Sequence, residues 1–158
     1  MRFLVLAAAL LLTACSGGDD PAAAEAKYQK DVIAASDQAR GKLPYFWEHF
    51  EAPEVDEYDF SLKVAFPRRD GQEGTEEAWV ENIARDVDTI KGELMVDPKY
   101  LGELRGGAIM DFSEKQIVDW SFLRGEELIG HYTTRVMLPR MNAEQAEGLR
   151  SMFGENPK

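Results

Sequence analysis

Phe60-Ser61-Leu62-Lys63-Val64-Ala65-Phe66, closed by Pro67, is the stretch that decides the fold. Its large apolar residues occupy every second position, and strand side chains point alternately to opposite faces, so the segment reads as a half-buried β-strand. Pro67 ends it, because proline donates no ladder hydrogen bond. Downstream, the polar run Arg68 to Glu76 holds Gly71 and Gly74 and reads as a loop between strands. Ala78 to Ile83 is rich in β-formers, and Arg85-Asp86-Val87-Asp88 supplies a turn. Ile90, Leu94 and Val96, with Gly92, form the return arm of a hairpin that Asp97-Pro98 breaks. Gly106-Gly107 precedes a short strand over Ala108 to Phe112, and Ile117 to Leu123 makes another. Arg124-Gly125-Glu126-Glu127 then turns the chain into a last long strand, expected from Leu128 to Leu138.

Upstream of these strands the period changes. Tyr28, Val32, Ala35 and Ala39 recur at helical spacing and predict a first helix over about Ala23 to Arg40, with Gly41 at its C-terminal end. Tyr45-Phe46-Trp47, with Phe50, follows Pro44 as an apolar plug where a helix docks, since aromatic rings supply much of a small core's buried area. At the other end, Asn142 with Gln145 three residues on resembles a capping box, and Gly154 marks the stop. The whole predicts an α+β domain over residues 27–158. Its centre is a curved antiparallel sheet, or a small open β-barrel, of five to six strands, flanked by N- and C-terminal helices.

The N-terminus follows a different logic. Met1 and Arg2 form a small basic region, Phe3 to Leu12 is unbroken apolar sequence, and Thr13 and Ala14 are small residues before Cys15, the only cysteine. This is the pattern of a bacterial lipoprotein signal peptide over residues 1–14, with Cys15 as the lipid-attachment site. The apolar run is too short to span a bilayer, which takes about 20 residues. Residues 15–26, with Gly17-Gly18-Asp19-Asp20-Pro21, read as a lipidated tether. Ser16, where aspartate signals inner-membrane retention in enteric bacteria, favours the outer membrane, with the domain in the periplasm.

A net charge of −11 argues against nucleic acid as a partner, since phosphates need Lys and Arg to displace counterions. It also argues against a second, electrostatic contact with anionic headgroups. The acidic domain is expected to stand off the membrane that its lipid enters.

Glu77-Ala78-Trp79-Val80-Glu81-Asn82-Ile83, then Ile90-Lys91-Gly92-Glu93-Leu94 and Asp97-Pro98, form one half of a recognisable pattern. Ile117-Val118-Asp119-Trp120, Gly125, Gly130, Tyr132-Thr133 and Arg135 form the other. Together they resemble the YegJ-like family, the bacterial domain of unknown function 2314. The similarity covers roughly Phe60 to Leu138, with Gly107 and His131 departing from the pattern. It implies a β-rich fold and carries no catalytic residue across.

Candidate chemistry is sparse. With the thiol of Cys15 lipidated, cysteine catalysis is excluded. His49 and His131 lie far apart in sequence, and neither is accompanied by a serine or carboxylate motif. His49 reads as a helix-end packing residue and His131 as a partly exposed strand residue. No metal is expected: paired-cysteine and His-x-x-x-His spacings are missing, and Glu54 to Asp59 lacks the spacing and glycine of an EF-hand. No cofactor motif is present, and Gly106-Gly107 has no lysine or helix start to make it a phosphate cradle.

Asp119, Trp120, Tyr132 and Arg135 are the remaining candidates. If the strands that carry them pair, a carboxylate, two aromatic rings and a guanidinium share one neighbourhood. One reading is a binding groove for a peptide or glycan end. The other is structural, with Trp120 in the core and Asp119 paired to Arg135 across strands. The leading functional expectation is a non-catalytic envelope module that binds another envelope component, most simply a protein. An envelope hydrolase using His131 with a nearby carboxylate, and an immunity-like inhibitor, are the alternatives.

Overall fold

Every strand of the domain lies in one open sheet of order β4-β3-β2-β1-β5-β6, and every neighbouring pair is antiparallel. The strands are β1 (Glu57–Pro67), β2 (Thr75–Arg85), β3 (Ile90–Leu94), β4 (Ile109–Phe112), β5 (Ile117–Arg124) and β6 (Glu127–Gly130). The helices are α1 (Pro21–Gly41), α2 (Leu43–Glu51), α3 (Tyr132–Met137) and α4 (Ala143–Met152). The fold is therefore α+β, with an open six-stranded sheet and helices at its N- and C-terminal sides. This computed structural model describes residues 20–87 and 89–158. The signal peptide 1–14, Cys15 and Asp88 of the predicted turn lie outside the described residues.

The alternation in β1 works as its sequence predicts. Leu62, Val64 and Phe66 are buried on one face, where Leu62 pairs with Val80 of β2 and Trp120 of β5. On the same face Ala35 and Ala39 of α1 and Phe46 and Trp47 of α2 complete a single core. The small Ala35, Ser36 and Ala39 let α1 lie close against β5, where Ser36 donates to the Val118 carbonyl at 2.9 Å and Arg40 to that of Ile117 at 3.0 Å. A bulge at Asp59, whose φ is +54°, puts two residues of β1 opposite one of β5 and stacks Phe60 on Phe122, centroids 4.9 Å apart.

Four expectations need correction. The last strand does not run from Leu128 to Leu138: it stops at Gly130, and Tyr132 opens α3. Gly130 and His131 adopt φ of +86° and +54° in succession, a reversal that no strand can continue. The first helix starts at Pro21 and not at about Ala23, because the Asp20 side chain accepts from the Ala22 amide at 3.0 Å and Pro21 occupies the first turn. The aromatic plug is itself a helix, α2, which fills its buried face with Leu43, Phe46 and Trp47. The return strand stops at Leu94, short of Val96.

Candidate functional site

Asp119 and Trp120 are adjacent on β5, so they point to opposite sides of the sheet. Trp120 enters the helix-covered core with no exposed surface, its indole N–H donating to the Ala39 carbonyl at 2.8 Å. Asp119 is equally buried. One carboxylate oxygen accepts from the amides of Trp120 (2.8 Å) and Tyr132 (3.1 Å). The other accepts from the Thr133 amide (2.7 Å) and hydroxyl (2.6 Å). Burial pushes the Asp119 carboxyl above its ordinary pKa, against the opposing pull of those bonds. The side chain thus satisfies the free amides at the start of α3 and fixes where that helix begins.

Arg135 does not meet Asp119. It donates to the carbonyls of Gly130 at 2.9 Å and Gly154 at 2.8 Å, and stacks over Phe153, clamping the C-terminal segment onto the end of β6. The pairing expected between Asp119 and Arg135 is replaced by these backbone contacts, because that expectation required a strand where α3 stands. Tyr132 is buried against Trp120, and its hydroxyl has no hydrogen-bond partner. Burial, then the neighbouring Asp119 carboxylate, pushes the Tyr132 hydroxyl up to about 12. The four residues lie around one junction of β5, β6 and α3, but Asp119, Trp120 and Tyr132 are inside the domain.

An apolar concave feature is on the other face of the sheet, where its lining includes no residue of a helix. A cavity of about 340 Å³ opens there. Ser61 and Ser121, directly opposite each other in the β1–β5 register, make a small-residue floor. Trp79, Leu123, Leu128 and His131 form the walls, while Asp59, Met95 and Val96 complete the rim. The Trp79 and His131 rings lie 4.7 Å apart. Burial, followed by the nearby cations Arg135 and Lys63, holds the His131 imidazole down at about 4. At neutral pH the ring is uncharged. The cleft is therefore an apolar pit with one carboxylate, Asp59, at its mouth.

His131 has a partner unsuited to base catalysis. Its Nδ1 is 3.2 Å from the Thr134 hydroxyl, while both oxygens of Asp119 are taken up by the chain around it. Among the described residues, His131 and Asp119 do not form a hydrogen-bonded pair.

His49 belongs to a separate network. Its Nδ1 lies 2.9 Å from Glu57, whose carboxylate also accepts from Arg124 at 2.7 and 2.9 Å and from the Glu54 amide at 2.9 Å. Burial alone would raise the Glu57 pKa, but the Glu54 amide, Arg124 and His49 together hold it below the usual range. His49, Glu54 and Glu57 are close enough to consider for a cation. Their donor set is unsuitable, because the Glu57 lone pairs already serve Arg124, His49 and a backbone amide. The network ties α2 to β1 and β5.

Sequence reasoning missed the cleft. One signal was present: in Glu77-Ala78-Trp79-Val80-Glu81, Ala78 and Val80 must face the core, so Trp79 must stand on the polar face between two glutamates. A large aromatic there is anomalous for a solvated surface.

An open antiparallel sheet, with one face packed by helices and the other indented by an apolar cleft, defines the class of this molecule: an α+β domain with one sheet face left open. Residues 29–155 match the family described as an uncharacterized protein conserved in bacteria (DUF2314), and the chain belongs to it. No curated protein and no solved structure matches it.

Proposed function

We propose that this protein is a lipid-anchored binding module of the bacterial envelope, held through Cys15 and capturing another envelope component in the cleft on the bare face of its sheet. The observation that carries the binding half is the cleft itself: Trp79, Leu123, Leu128 and His131 surround a pit at a place where the sheet has no helix to bury them. Apolar pockets of this kind accept the anchor residues of a partner. The anchoring half rests on the N-terminal pattern, and Ser16 after the cysteine favours the outer membrane, with the domain in the periplasm. The full engagement of Asp119 by the chain around it favours binding over hydrolysis through a His131–Asp119 pair.

Two measurements test the two halves. Cys15→Ser should move the protein out of the detergent phase on phase partitioning and abolish palmitate labelling; retention of both would refute the anchor. A photo-crosslinking residue at Val96, on the exposed rim, should trap a defined partner in living cells. Failure to trap one across growth conditions, with the protein folded and expressed, would count against the binding module.

A further inference from the structure

The chemistry around the cleft specifies its occupant more narrowly than the cavity alone. The pit offers few directed polar groups: the Ser61 hydroxyl already donates to the Asp59 carbonyl at 3.3 Å. A free small molecule is oriented by several convergent donors and acceptors, whereas a side-chain anchor of a protein needs mainly shape and desolvation. The rim supports the second. Met95 and Val96, 46% and 65% exposed, extend apolar surface outward from the pit.

Charge then selects the flanks of that anchor. Glu81 stands two positions beyond Trp79 on the same face of β2, and in the β2–β3 register it lies directly opposite Glu93. Like charges facing each other across strands are unfavourable. The nearby lysines of this face are already paired, Lys63 with Glu77 at 2.7 Å and Lys91 with Asp111 at 3.7 Å, and Arg135, the other cation near His131, is half-buried with its donors on the Gly130 and Gly154 carbonyls. Glu93 accepts from the neutral Asn82 amide at 2.9 Å, a bond that leaves its charge unbalanced. Among the described residues, Asp59, Glu81 and Glu93 form no ion pair with a lysine, arginine or histidine. An anionic lipid surface would be repelled by such a face.

We infer that the occupant is a basic segment of a partner protein, with one large apolar side chain seated between Trp79 and His131 and flanking lysine or arginine residues meeting Asp59, Glu81 and Glu93. This rests on the binding reading above. It adds a chemistry that the reading does not require.

The test titrates the purified full chain with three synthetic peptides: phenylalanine between lysines, phenylalanine between glutamates, and serine between lysines. The readouts are the Trp79 indole and His131 amide resonances. The lysine–phenylalanine peptide should shift both saturably, and the other two should leave them in place. Ser121→Leu, which fills the pit from its floor, should abolish the response. Asp59→Asn combined with Glu81→Gln and Glu93→Gln should weaken it about tenfold, the sum of three modest surface ion pairs. Equal response to the glutamate peptide, or no saturable shift at Trp79 and His131, would overturn the proposal. If the Val96 crosslink still traps a partner whose capture Ser121→Leu prevents, that overturned result leaves the binding module standing. If no partner is trapped either, both fall.

Discussion

The two faces of the sheet are built from the same strands and do opposite things. On the helix side, β1 and β5 present Leu62, Val64, Trp120 and Phe122, all without exposed surface, under α1 and α2. One residue along each strand, the other side presents Ser61 and Ser121, with half-buried Trp79 and Leu123 above them. Large side chains sit against helices on one face and around an open cleft on the other. The comparison teaches that an apolar residue in a strand is informative only with its side known: Trp120 holds the domain together, while Trp79 lines an open cleft.

Trp120→Ala is the harshest way to break this contrast. It deletes the largest fully buried side chain and removes the indole bond to the Ala39 carbonyl, which keeps only the Lys42 amide. The expected cost is about 3–5 kcal/mol, a large share of a small domain's stability. Urea unfolding at neutral pH should show the midpoint collapse. A variant of near-normal stability would mean that Trp120 is not core.

Gly130→Ala attacks the point where the chain passes between the two faces. At φ +86° a new Cβ would lie 2.2 Å from the Trp120 carbonyl oxygen and 2.7 Å from its ring. Strain and steric overlap together should cost about 3 kcal/mol. A midpoint shift of less than a third of that would show that β6 and α3 can reposition.

The core face of β1 and the succession of short strands were legible because a period of two is hard to counterfeit. Phe60 to Phe66 announced its side chains, and the β-formers of Ala78 to Ile83 announced the strand that pairs with the return arm from Ile90. The α3 junction was not legible. Leu128-Ile129-Gly130-His131-Tyr132-Thr133 is rich in β-formers, and local propensity favours a continued strand. What ends it is a tertiary contact, the Asp119 carboxylate collecting the amides of Tyr132 and Thr133. A groove drawn from Asp119 and Trp120 was therefore misplaced, for two adjacent strand residues cannot share a face. The cleft escaped notice because its floor is two serines, which carry no signal until the register sets them opposite each other.

His131 stands in the wall of the cleft, and pH sharpens the comparison. Its imidazole titrates at about 4 in the folded chain, against 6.5 for an ordinary histidine. The unfolded chain therefore takes up the proton first, so this residue's contribution is complete above about pH 6.5 and is lost as pH falls toward 4. With partial solvent contact at the cleft, the loss is on the order of 2–3 kcal/mol. His131→Asn, which tolerates the left-handed backbone, should flatten the stability profile between pH 6.5 and 4. An unchanged slope would assign the acid sensitivity elsewhere.

Trp79→Ala carries the smallest expected effect on stability and the greatest discrimination. The residue packs on one side against His131 and otherwise faces the cleft, so its loss forfeits only part of an aromatic burial. About 1 kcal/mol, or a thermal midpoint lower by a few degrees, is expected for a domain of this size. The Val96 crosslink should nevertheless disappear, since half the wall of the pit has gone. The pair Trp120→Ala and Trp79→Ala thus separates two uses of the same side chain. If Trp79→Ala unfolds the protein as Trp120→Ala does, the bare face is a second core and the cleft an accident of packing. If it leaves both stability and the crosslink intact, the partner is bound elsewhere on the domain. Only loss of capture in a folded variant fits a sheet with one face devoted to stability and the other to recognition.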